Sequence, residues 1–272
     1  MASEHFTSHR PLALITGASR GIGYNFAVQL AARGYDLLLV SLSEDKLTKA
    51  SQRITATYPV AITTIATDLA TLDGAQRIID HCTLYHLTPE VLINNAGIFN
   101  YQETINCSSE YLQRIILLHN HTPTQLCHHF GGLMRKAGVG YIVNISSLSN
   151  WYPCVGIGPY AATKSYLYHF SQTLREELRQ SGVKVLVVSP GGVATDLYGL
   201  PHHLQQLGIR LGILQHPETI ARQTIKPMFR GKRKFTPGWI NHPLKAISHL
   251  IPLRLIHYIQ RKIYPPPSDG AR

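Results

Sequence analysis

The strongest constraint on the fold of this chain is a regular alternation of short apolar segments with longer helical patterns. The apolar segments occupy residues 11–16, 35–40, 60–66, 90–95, 140–146 and 183–189. Helical patterns lie between them, from the first glycines to Arg33 and then over 44–58, 71–85, 108–136 and 160–180. Strands that are apolar throughout and alternate with helices indicate a parallel sheet covered on both faces. The sequence therefore predicts an α/β protein with a single doubly wound (Rossmann) sheet, whose ligands bind outside the carboxyl ends of the strands.

The limits of the longest helix and of the domain can also be predicted. Ser108 or Ser109 is the expected N-cap of the long helix, and Gly138 lies just past its end. The strand–helix rhythm stops after residue 189, and residues 201–212 are interpreted as a mobile flap near the ligand site. Residues 1–236 are expected to form one domain with an integral substrate site, followed by a basic amphipathic extension over 237–272.

A glycine-rich segment, TGASRGIG at 16–23, joins the first predicted strand to the first predicted helix. Glycines let a backbone turn tightly and approach a pyrophosphate closely, and a helix N-terminus favours the negative charge of that group. A simple strand-to-helix turn is the alternative interpretation. Because the motif also begins a repeating strand–helix pattern, it predicts a dinucleotide site.

Tyr160 and Lys164, in PYAATKSYLYHF at 159–170, stand over one another if the segment is helical. Tyr258 and Lys262 have the same spacing, but they follow no predicted strand, whereas Tyr160 opens the helix after the fifth strand. An ammonium beside a phenol favours the phenolate, which makes the phenol a better proton donor near neutral pH. The first pair is therefore the predicted acid–base pair.

Four motifs in order resemble those of the short-chain dehydrogenase/reductase family. They are T-G-x-x-x-G-x-G at 16–23, NNAG at 94–97, Tyr160-x-x-x-Lys164, and PGGVAT at 190–195. The resemblance covers roughly residues 10–230. It implies a Rossmann fold, a nicotinamide cofactor, and hydride transfer between a ketone and a secondary alcohol.

The resemblance also implies which residues contact the cofactor. The phosphates and the adenosine end would lie against Gly17, Ser19, Arg20, Gly21, Ile22 and Gly23. Asp68 and Leu69 would lie by the adenine, and the adenosine and ribose would be flanked by Asn95, Ala96 and Gly97. The nicotinamide would be covered by Pro190, Gly191, Val193 and Thr195. Tyr160 and Lys164 would complete this set, with Lys164 bound to the ribose hydroxyls.

Four catalytic residues follow from the same resemblance: Asn120, Ser147, Tyr160 and Lys164. Tyr160 would be the acid–base residue, and Ser147 would hydrogen-bond the substrate oxygen, with Ser146 as the residue most easily mistaken for it. Asn120 matches the position at which the family has an asparagine that holds a water, and this water relays protons to the lysine. The complete set argues for an active enzyme.

The residues after the second strand indicate which nicotinamide cofactor is preferred. NAD enzymes of this fold use an acidic residue there to bind the ribose 2′-hydroxyl. Here the place falls on Ser41 or Leu42, and neither is acidic. A serine can hydrogen-bond a phosphate, and Arg20 supplies a cation from the glycine turn. NADP(H) is therefore favoured over NAD(H), although Leu42 stands where NADP enzymes often have an arginine.

The composition and the cysteine and histidine positions exclude other classes of protein. An apolar content of 44% is too high for a disordered chain, and no apolar run is long enough to span a bilayer. The start of the chain lacks the apolar core of a signal peptide, and four scattered cysteines favour reduced thiols in the cytoplasm. A metal site is not expected, because no acid or cysteine accompanies the histidines at 119, 121, 128 and 129.

The C-terminal fifth carries most of the net charge of +11. Apolar residues recur there at steps of three or four, namely Leu244, Ile247, Ile251, Leu255, Ile259 and Ile263. One interpretation is an amphipathic element that lies on an anionic membrane. The alternative is a lid or dimer element that packs on the protein itself. Nucleic acid binding is not expected, because no recognition motif accompanies the charge.

Two functions remain open at this point. The first is an NADP(H)-dependent oxidoreductase for a hydrophobic lipid, acyl or steroid-like carbonyl compound, since similar tails occur in family members with such substrates. This enzyme would be a cytoplasmic homodimer, peripheral to a membrane if the tail binds lipid. The second is a catalytically weak NADP-binding protein with a regulatory or scaffold role.

Overall fold

Seven parallel strands form the central sheet of the computed structural model, which describes residues 10–151, 155–195, 197, 201–238, 241 and 258. The strands of the chain are β1 (Leu12–Thr16), β2 (Asp36–Ser41), β3 (Ile62–Ala66), β4 (Val91–Asn94), β5 (Gly140–Ile145), β6 (Val183–Val188), β7 (Gly192–Val193), β8 (Leu214–Gln215) and β9 (Lys234–Phe235). The central sheet has the order β3-β2-β1-β4-β5-β6-β9, and β7 pairs with β8 in a small second sheet. Every one of these pairings is parallel, as the apolar strands predict.

Helices connect the strands and cover the sheet. They are α1 (Gly21–Ala31), α2 (Glu44–Thr55), α3 (Gly74–Leu84), α4 (Ser109–Ile116), α5 (Thr122–Ala137), α6 (Gly158–Glu177), α7 (His202–Arg210) and α8 (Pro217–Phe229). Short 3₁₀ turns lie at Thr104–Asn106 and Leu148–Asn150. A π-helical segment, Leu117–His121, joins α4 to α5 without a break.

Two hydrophobic cores lie on opposite faces of the sheet. In β1, Ala13 and Ile15 belong to one core, and Leu12 and Leu14 belong to the other. The first core is completed by α1, α2 and α8, and the second by α3 and α5. This arrangement explains why the strands are apolar throughout, since both faces are removed from water. The predicted doubly wound architecture is confirmed.

The predicted long helix is present, with a π segment in its middle that the sequence did not predict. The Ser108 hydroxyl accepts a hydrogen bond from the Tyr111 backbone N–H at 3.1 Å, so Ser108 is the N-cap. At the other end Gly138 has a φ of +74° and closes the helix in the left-handed conformation. Both capping predictions are therefore confirmed, and the choice between Ser108 and Ser109 is settled.

The region after β6 contains more regular structure than the sequence indicated. Most of residues 201–212, for which the sequence indicates a flap, form α7. The chain then continues through α8 to β9, which adds one strand to the edge of the central sheet. Asn241 is 3% exposed, and its side chain donates to the Pro237 carbonyl at 2.6 Å. A Cβ on Gly191 would lie 2.5 Å from the Asn241 side-chain oxygen. Asn241, which lies beyond the boundary predicted at residue 236, thus packs against the loop that follows β6, and the boundary itself stays a prediction.

The predicted apolar stripe of the tail, 244–263, lies outside the described residues, as does the start of the chain up to residue 9. Within the part that the structure describes, no helix is both long and apolar enough to cross a bilayer.

Candidate active site

The sheet opens a cavity of about 500 Å³ at the carboxyl ends of its strands. β1 pairs with β2 on one side and with β4 on the other, so the connections from β1 and β4 leave the sheet in opposite directions. Such a switch point leaves a crevice between the two loops. Gly17, directly after β1, and Asn95, directly after β4, both line the cavity.

The glycine turn after β1 forms one wall of this cavity. Gly17 and Gly21 have φ values of +64° and +61°, a conformation that side chains with a Cβ rarely adopt. The turn leads directly into α1, whose first-turn sequence, GIGY at 21–24, contains no acidic residue. The positive end of the helix dipole therefore faces the cavity without a carboxylate to offset it, and this arrangement fits a phosphate group.

Asn95 holds the glycine turn in place. Its side-chain nitrogen donates to the carbonyls of Thr16 and Gly17, both at 3.1 Å. The Thr16 hydroxyl accepts in return from the backbone N–H groups of Asn95 and Ala96, at 3.0 and 3.1 Å. The loop after β4 and the loop after β1 are thus fastened together, so Asn95 shapes the phosphate site as well as lining it.

Gly23 is the one predicted cofactor residue that does not line the cavity. A Cβ there would lie 2.3 Å from the Gly17 carbonyl oxygen and 2.6 Å from the Asn95 side-chain nitrogen. Gly23 therefore lets the first turn of α1 pack directly behind the glycine turn. The structure therefore places Gly23 behind the turn and not in the cavity wall, and its contact with the cofactor stays a prediction.

The residues predicted to contact the adenosine line one end of the cavity. Asp68 accepts a hydrogen bond from the Ala70 N–H at 2.9 Å through one carboxylate oxygen. Its other oxygen pairs with Arg114 at 3.0 Å. Arg114 also lines the cavity and was not predicted, since it lies on α4, 46 positions after Asp68 in the sequence. Asp68 is therefore held in place by two contacts.

The residues after β2 lie at the same end. Ser41, Leu42 and Arg20 all line the cavity, and the hydroxyls of Ser19 and Ser41 are 2.9 Å apart. The Leu42 side chain is 65% exposed. This part of the cavity thus combines two hydroxyls with an arginine, and the sequence SL at 41–42 places no carboxylate where a ribose 2′-phosphate would be repelled.

Tyr160 and Lys164 lie at the opposite end, on the first two turns of α6. Lys164 is only 4% exposed, and its Nζ donates to the Ile145 carbonyl at 3.0 Å, at the end of β5. The same nitrogen is 5.7 Å from the centroid of the Tyr160 ring. Burial lowers the pKa of Lys164 from 10.5 to about 8. The predicted pairing of an amine with a phenol on one helix face is therefore present.

Two adjacent serines follow β5, and their hydrogen bonds distinguish them. Ser146 is buried, donates to the Lys164 carbonyl at 2.8 Å, and accepts from the Asn150 side chain at 3.1 Å. Ser147 accepts from the Ser149 N–H at 3.2 Å, which leaves its hydroxyl proton for a ligand. Both line the cavity. The geometry favours Ser147 as the hydrogen-bond donor and Ser146 as a structural residue, as the sequence analysis expected.

Asn120 is not placed at the cavity, and His119 lies beside Lys164 instead. In the amide orientation that satisfies its partners, Asn120 donates to the backbone carbonyls of His119 and Thr163, at 3.1 and 3.2 Å. The His119 ring is 1% exposed and packs edge-on to Tyr160, with centroids 5.6 Å apart. A Cβ on Gly97 would lie 3.0 Å from His119 Nε2 and 3.8 Å from Lys164 Nζ. The position predicted for Asn120 is therefore occupied by His119.

The other predicted cofactor residues all line the cavity. The structure adds several that the sequence did not indicate: Thr67, Ala70, Ile98, Arg114, Leu118, Ile145, Ala194, Leu197, Gln205 and Pro217. Ile98 could have been found, since it directly follows the NNAG motif. Gln205 lies on α7, where His202 and His203 are exposed and are not among the lining residues.

Known proteins resemble this chain in sequence and in fold. Residues 11–200 match the family model for short chain dehydrogenase. The very-long-chain 3-oxoacyl-CoA reductase of Bos taurus is 32% identical over 238 residues, which cover 86% of this chain and 73% of that protein. A short-chain dehydrogenase from Sphingobium yanoikuyae, in complex with NADPH, is 25% identical with a TM-score of 0.77, covering 96% and 98% of the two chains. A metagenomic short-chain oxidoreductase in complex with NADP is 28% identical with a TM-score of 0.67, covering 79% and 88%.

Proposed function

Since this chain belongs to the short chain dehydrogenase family and is an oxidoreductase of that family, we propose that it uses NADP(H) to reduce a ketone on a hydrophobic, acyl-type substrate to a secondary alcohol. The observation that carries this proposal is the meeting of Ser147, Tyr160 and Lys164 in the same cavity as the glycine turn. The cavity thus offers a phosphate site and a proton donor at its two ends.

The residues of the cavity fit a nicotinamide dinucleotide, which when bound would supply hydride to the carbonyl carbon. Tyr160 then gives its proton to the carbonyl oxygen, and Ser147 holds that oxygen through a hydrogen bond. The ammonium of Lys164 stabilises the phenolate that this transfer leaves on Tyr160. Because Lys164 is almost fully buried, its charge is poorly screened by water and acts strongly on the neighbouring ring.

A hydrophobic substrate is supported by the surface beside the cavity. α7 contributes Gln205 to the cavity wall and exposes Leu204 and Leu207, which are 43% and 51% exposed, with Leu211 just beyond at 59%. These side chains stand at helical spacing on one face. An apolar strip at a cavity entrance is suited to an alkyl chain. The relatives named as 3-oxoacyl-CoA reductases act on a substrate of this kind.

The proposed function is tested by following NADPH consumption with 3-oxoacyl-CoA esters of increasing chain length and with a small water-soluble ketone. We expect turnover on the esters, with kcat/KM rising with chain length because more apolar surface is buried. NADH in place of NADPH should give a lower kcat/KM. Tight NADPH binding without turnover on any carbonyl compound would favour the alternative, an NADP-binding regulatory or scaffold protein.

Arg20→Ala is expected to weaken NADPH binding about tenfold or more, since a charge-assisted hydrogen bond is worth roughly 1.5–3 kcal/mol. NADH binding should change much less, because NADH lacks the 2′-phosphate. Fluorescence titration of both cofactors checks this. Equal losses for the two would show that Arg20 only shapes the glycine turn, and a wild-type preference for NADH would refute the choice of cofactor.

We further propose that the C-terminal tail binds anionic membranes, because residues 237–272 hold five lysines and arginines but one acidic residue beside the apolar stripe. A chain that ends at Pro243 removes the apolar residues from Leu244 onward and keeps Asn241. We expect it to lose cosedimentation with anionic vesicles while it still reduces a small ketone. Binding of the full chain should also weaken as salt is raised.

The competing interpretation of the tail, a lid or dimer element, predicts the opposite results. The shortened chain would then melt at a lower temperature, lose activity on every substrate, and run as a smaller species in light scattering. The full chain would not bind vesicles. A homodimer in which the tail takes no part would keep its mass on truncation.

A further inference from the structure

The hydrogen bonds of His119 fix its tautomer. The backbone N–H of Ile98 points at Nε2, 3.0 Å away, so Nε2 must accept and carries no proton. Nδ1 therefore holds the proton and donates it to the Thr163 hydroxyl at 2.9 Å. That hydroxyl donates in turn to the Tyr160 carbonyl at 2.9 Å. One imidazole thus connects the loop after β4 to the first turn of α6, the turn that carries Tyr160.

Protonation of this ring would break the connection. A proton on Nε2 would meet the Ile98 N–H, and two donors cannot bond to each other. Burial and the nearby charge of Lys164 also keep the pKa of His119 well below its ordinary value. Both ring nitrogens are engaged by protein groups, so neither is left to hold a water.

We propose that His119 is a positioning residue, whose neutral imidazole fastens the cofactor-lining loop at Gly97 and Ile98 to the helix turn of Tyr160 and closes the interior side of Lys164. This inference rests on the proposed reductase function, because it concerns the same site. It differs from the asparagine-and-water arrangement that the family resemblance implied, since the ring fills the space next to the lysine.

The packing around Gly97 supports this role. A Cβ on that glycine would lie 3.0 Å from His119 Nε2, so the loop rests directly on the ring. Gly97 and Ile98 both line the cavity, as does Leu118, the neighbour of His119. A shift of the ring would therefore move the wall against which the cofactor is expected to lie. The same Cβ would lie 3.8 Å from Lys164 Nζ, so the ring and the amine both face Gly97 from the same side.

The contacts also define what a replacement must keep. Glutamine can place an amide oxygen near the position of Nε2 and accept from the Ile98 N–H. Asparagine reaches only the position of Nδ1, so it can donate to Thr163 but leaves the part-buried Ile98 N–H without its acceptor. The two amides therefore separate the bond to the loop from the bond to the helix.

The test compares His119→Gln, His119→Asn and the wild type in NADPH affinity, kcat and melting temperature. We expect His119→Asn, which loses the bond to the cofactor-lining loop and keeps the bond to Thr163, to raise the NADPH Kd about fivefold while kcat stays within about threefold of the wild type. His119→Gln, which keeps the bond to the loop and loses the bond to Thr163, should keep the NADPH Kd within about threefold of the wild type and lower kcat about tenfold, the scale of a displaced catalytic turn. His121→Asn is the matched control, since His121 is partly exposed, binds only the Leu72 carbonyl among the contacts described, and should behave as the wild type.

Three results would overturn the proposal. Equal impairment of the glutamine and asparagine variants would show that the imidazole itself is needed, as in a proton relay. An NADPH Kd of His119→Asn equal to that of the wild type would show that the bond to Ile98 does not position the cofactor-lining loop. Lower melting temperatures with unchanged Kd and kcat would leave only a structural role. If the wild type reduces no carbonyl compound, the proposed function is wrong. The NADPH affinities of the variants would still test whether His119 positions the cofactor-lining loop.

Discussion

Replacing Tyr160 with phenylalanine is expected to lower turnover by about two or more powers of ten, the scale of general acid catalysis. The change removes one hydroxyl and keeps the ring, which packs against Phe99 and His119 with centroid distances of 5.1 and 5.6 Å. NADPH binding and the melting temperature should therefore change little. Steady-state kinetics with a 3-oxoacyl-CoA ester, beside an NADPH titration of the same preparation, checks this.

Tyr258→Phe is the control for this experiment. Tyr258 has the same spacing to a lysine in the sequence, but it is 57% exposed and is not among the residues that line the cavity. It should keep full activity. Near-normal turnover in Tyr160→Phe would remove Tyr160 from the reaction, whatever the control shows.

Gly23→Ala is expected to cause a large loss of stability for a single added methyl group. The new methyl group would sit 2.3 Å from the Gly17 carbonyl oxygen, a backbone atom that cannot move aside without moving the glycine turn. Overpacking of this kind costs about 1–3 kcal/mol, and a backbone clash lies at the upper end. We expect a lower melting temperature together with weaker NADPH binding, measured by calorimetry and by titration.

Gly132→Ala is the matched control. Gly132 lies inside α5, and a Cβ there would meet nothing within 4 Å. Alanine should stabilise that helix by about 0.5–1 kcal/mol, because it is the better helix former. If Gly23→Ala melts like the wild type and binds NADPH normally, then the support of the glycine turn by α1 is weaker than the geometry indicates.

The central part of the fold could be predicted because its strands are buried on both faces. A strand such as β2, with the sequence DLLLVS, has no alternation that a surface helix or a half-exposed strand would show. The alternation of strands and helices along the chain then leaves few possible sheet topologies. Residues that line the cavity by belonging to a loop after a strand, such as Gly17 and Asn95, were predicted for the same reason.

The C-terminal elements could not be predicted because their signals are weak. β9 is two residues long and follows a run of basic residues, so it has no apolar pattern of its own. α8 has Pro217 at its start and Pro227 inside it, and an internal proline normally indicates the end of a helix. Asn241 joins the domain through a buried contact with the Gly191 loop, which no sequence pattern shows.

The choice between His119 and Asn120 illustrates a different difficulty. Neighbouring residues of an α-helix point about 100° apart, so a regular helix offers one of them to the site. The π segment Leu117–His121 inserts an extra residue into the turn and changes the directions of its side chains, so that both His119 and Asn120 contact α6 but His119 is the one beside Lys164. A sequence read with a constant helical period cannot detect that change. Such segments often lie at functional sites, as this one does.

Pairings across long stretches of chain were also beyond the sequence. Asp68 was expected to contact adenine, and its salt bridge to Arg114 became visible only when α4 was placed beside the loop after β3. The Asn95 side chain was expected to flank the adenosine; it lines the cavity and also bonds the turn some 80 positions earlier. In both cases the residue type indicated a place at the cavity. The bonding partner became known only once the order of strands in the sheet was known.

The burial of Lys164 makes the protein less stable at neutral pH than a variant with an uncharged side chain at this position would be. Below pH 8 the amine is protonated in both states, and the folded chain carries the whole penalty of keeping that charge away from water. Between about pH 8 and 10.5 the folded state releases its proton first, so the unfolded state binds more protons and the free energy of unfolding rises. Lys164, which favours proton transfer by Tyr160, therefore causes a trade-off between activity and thermal stability. Selection for heat resistance alone would tend to remove this lysine, and its retention would mark selection for turnover.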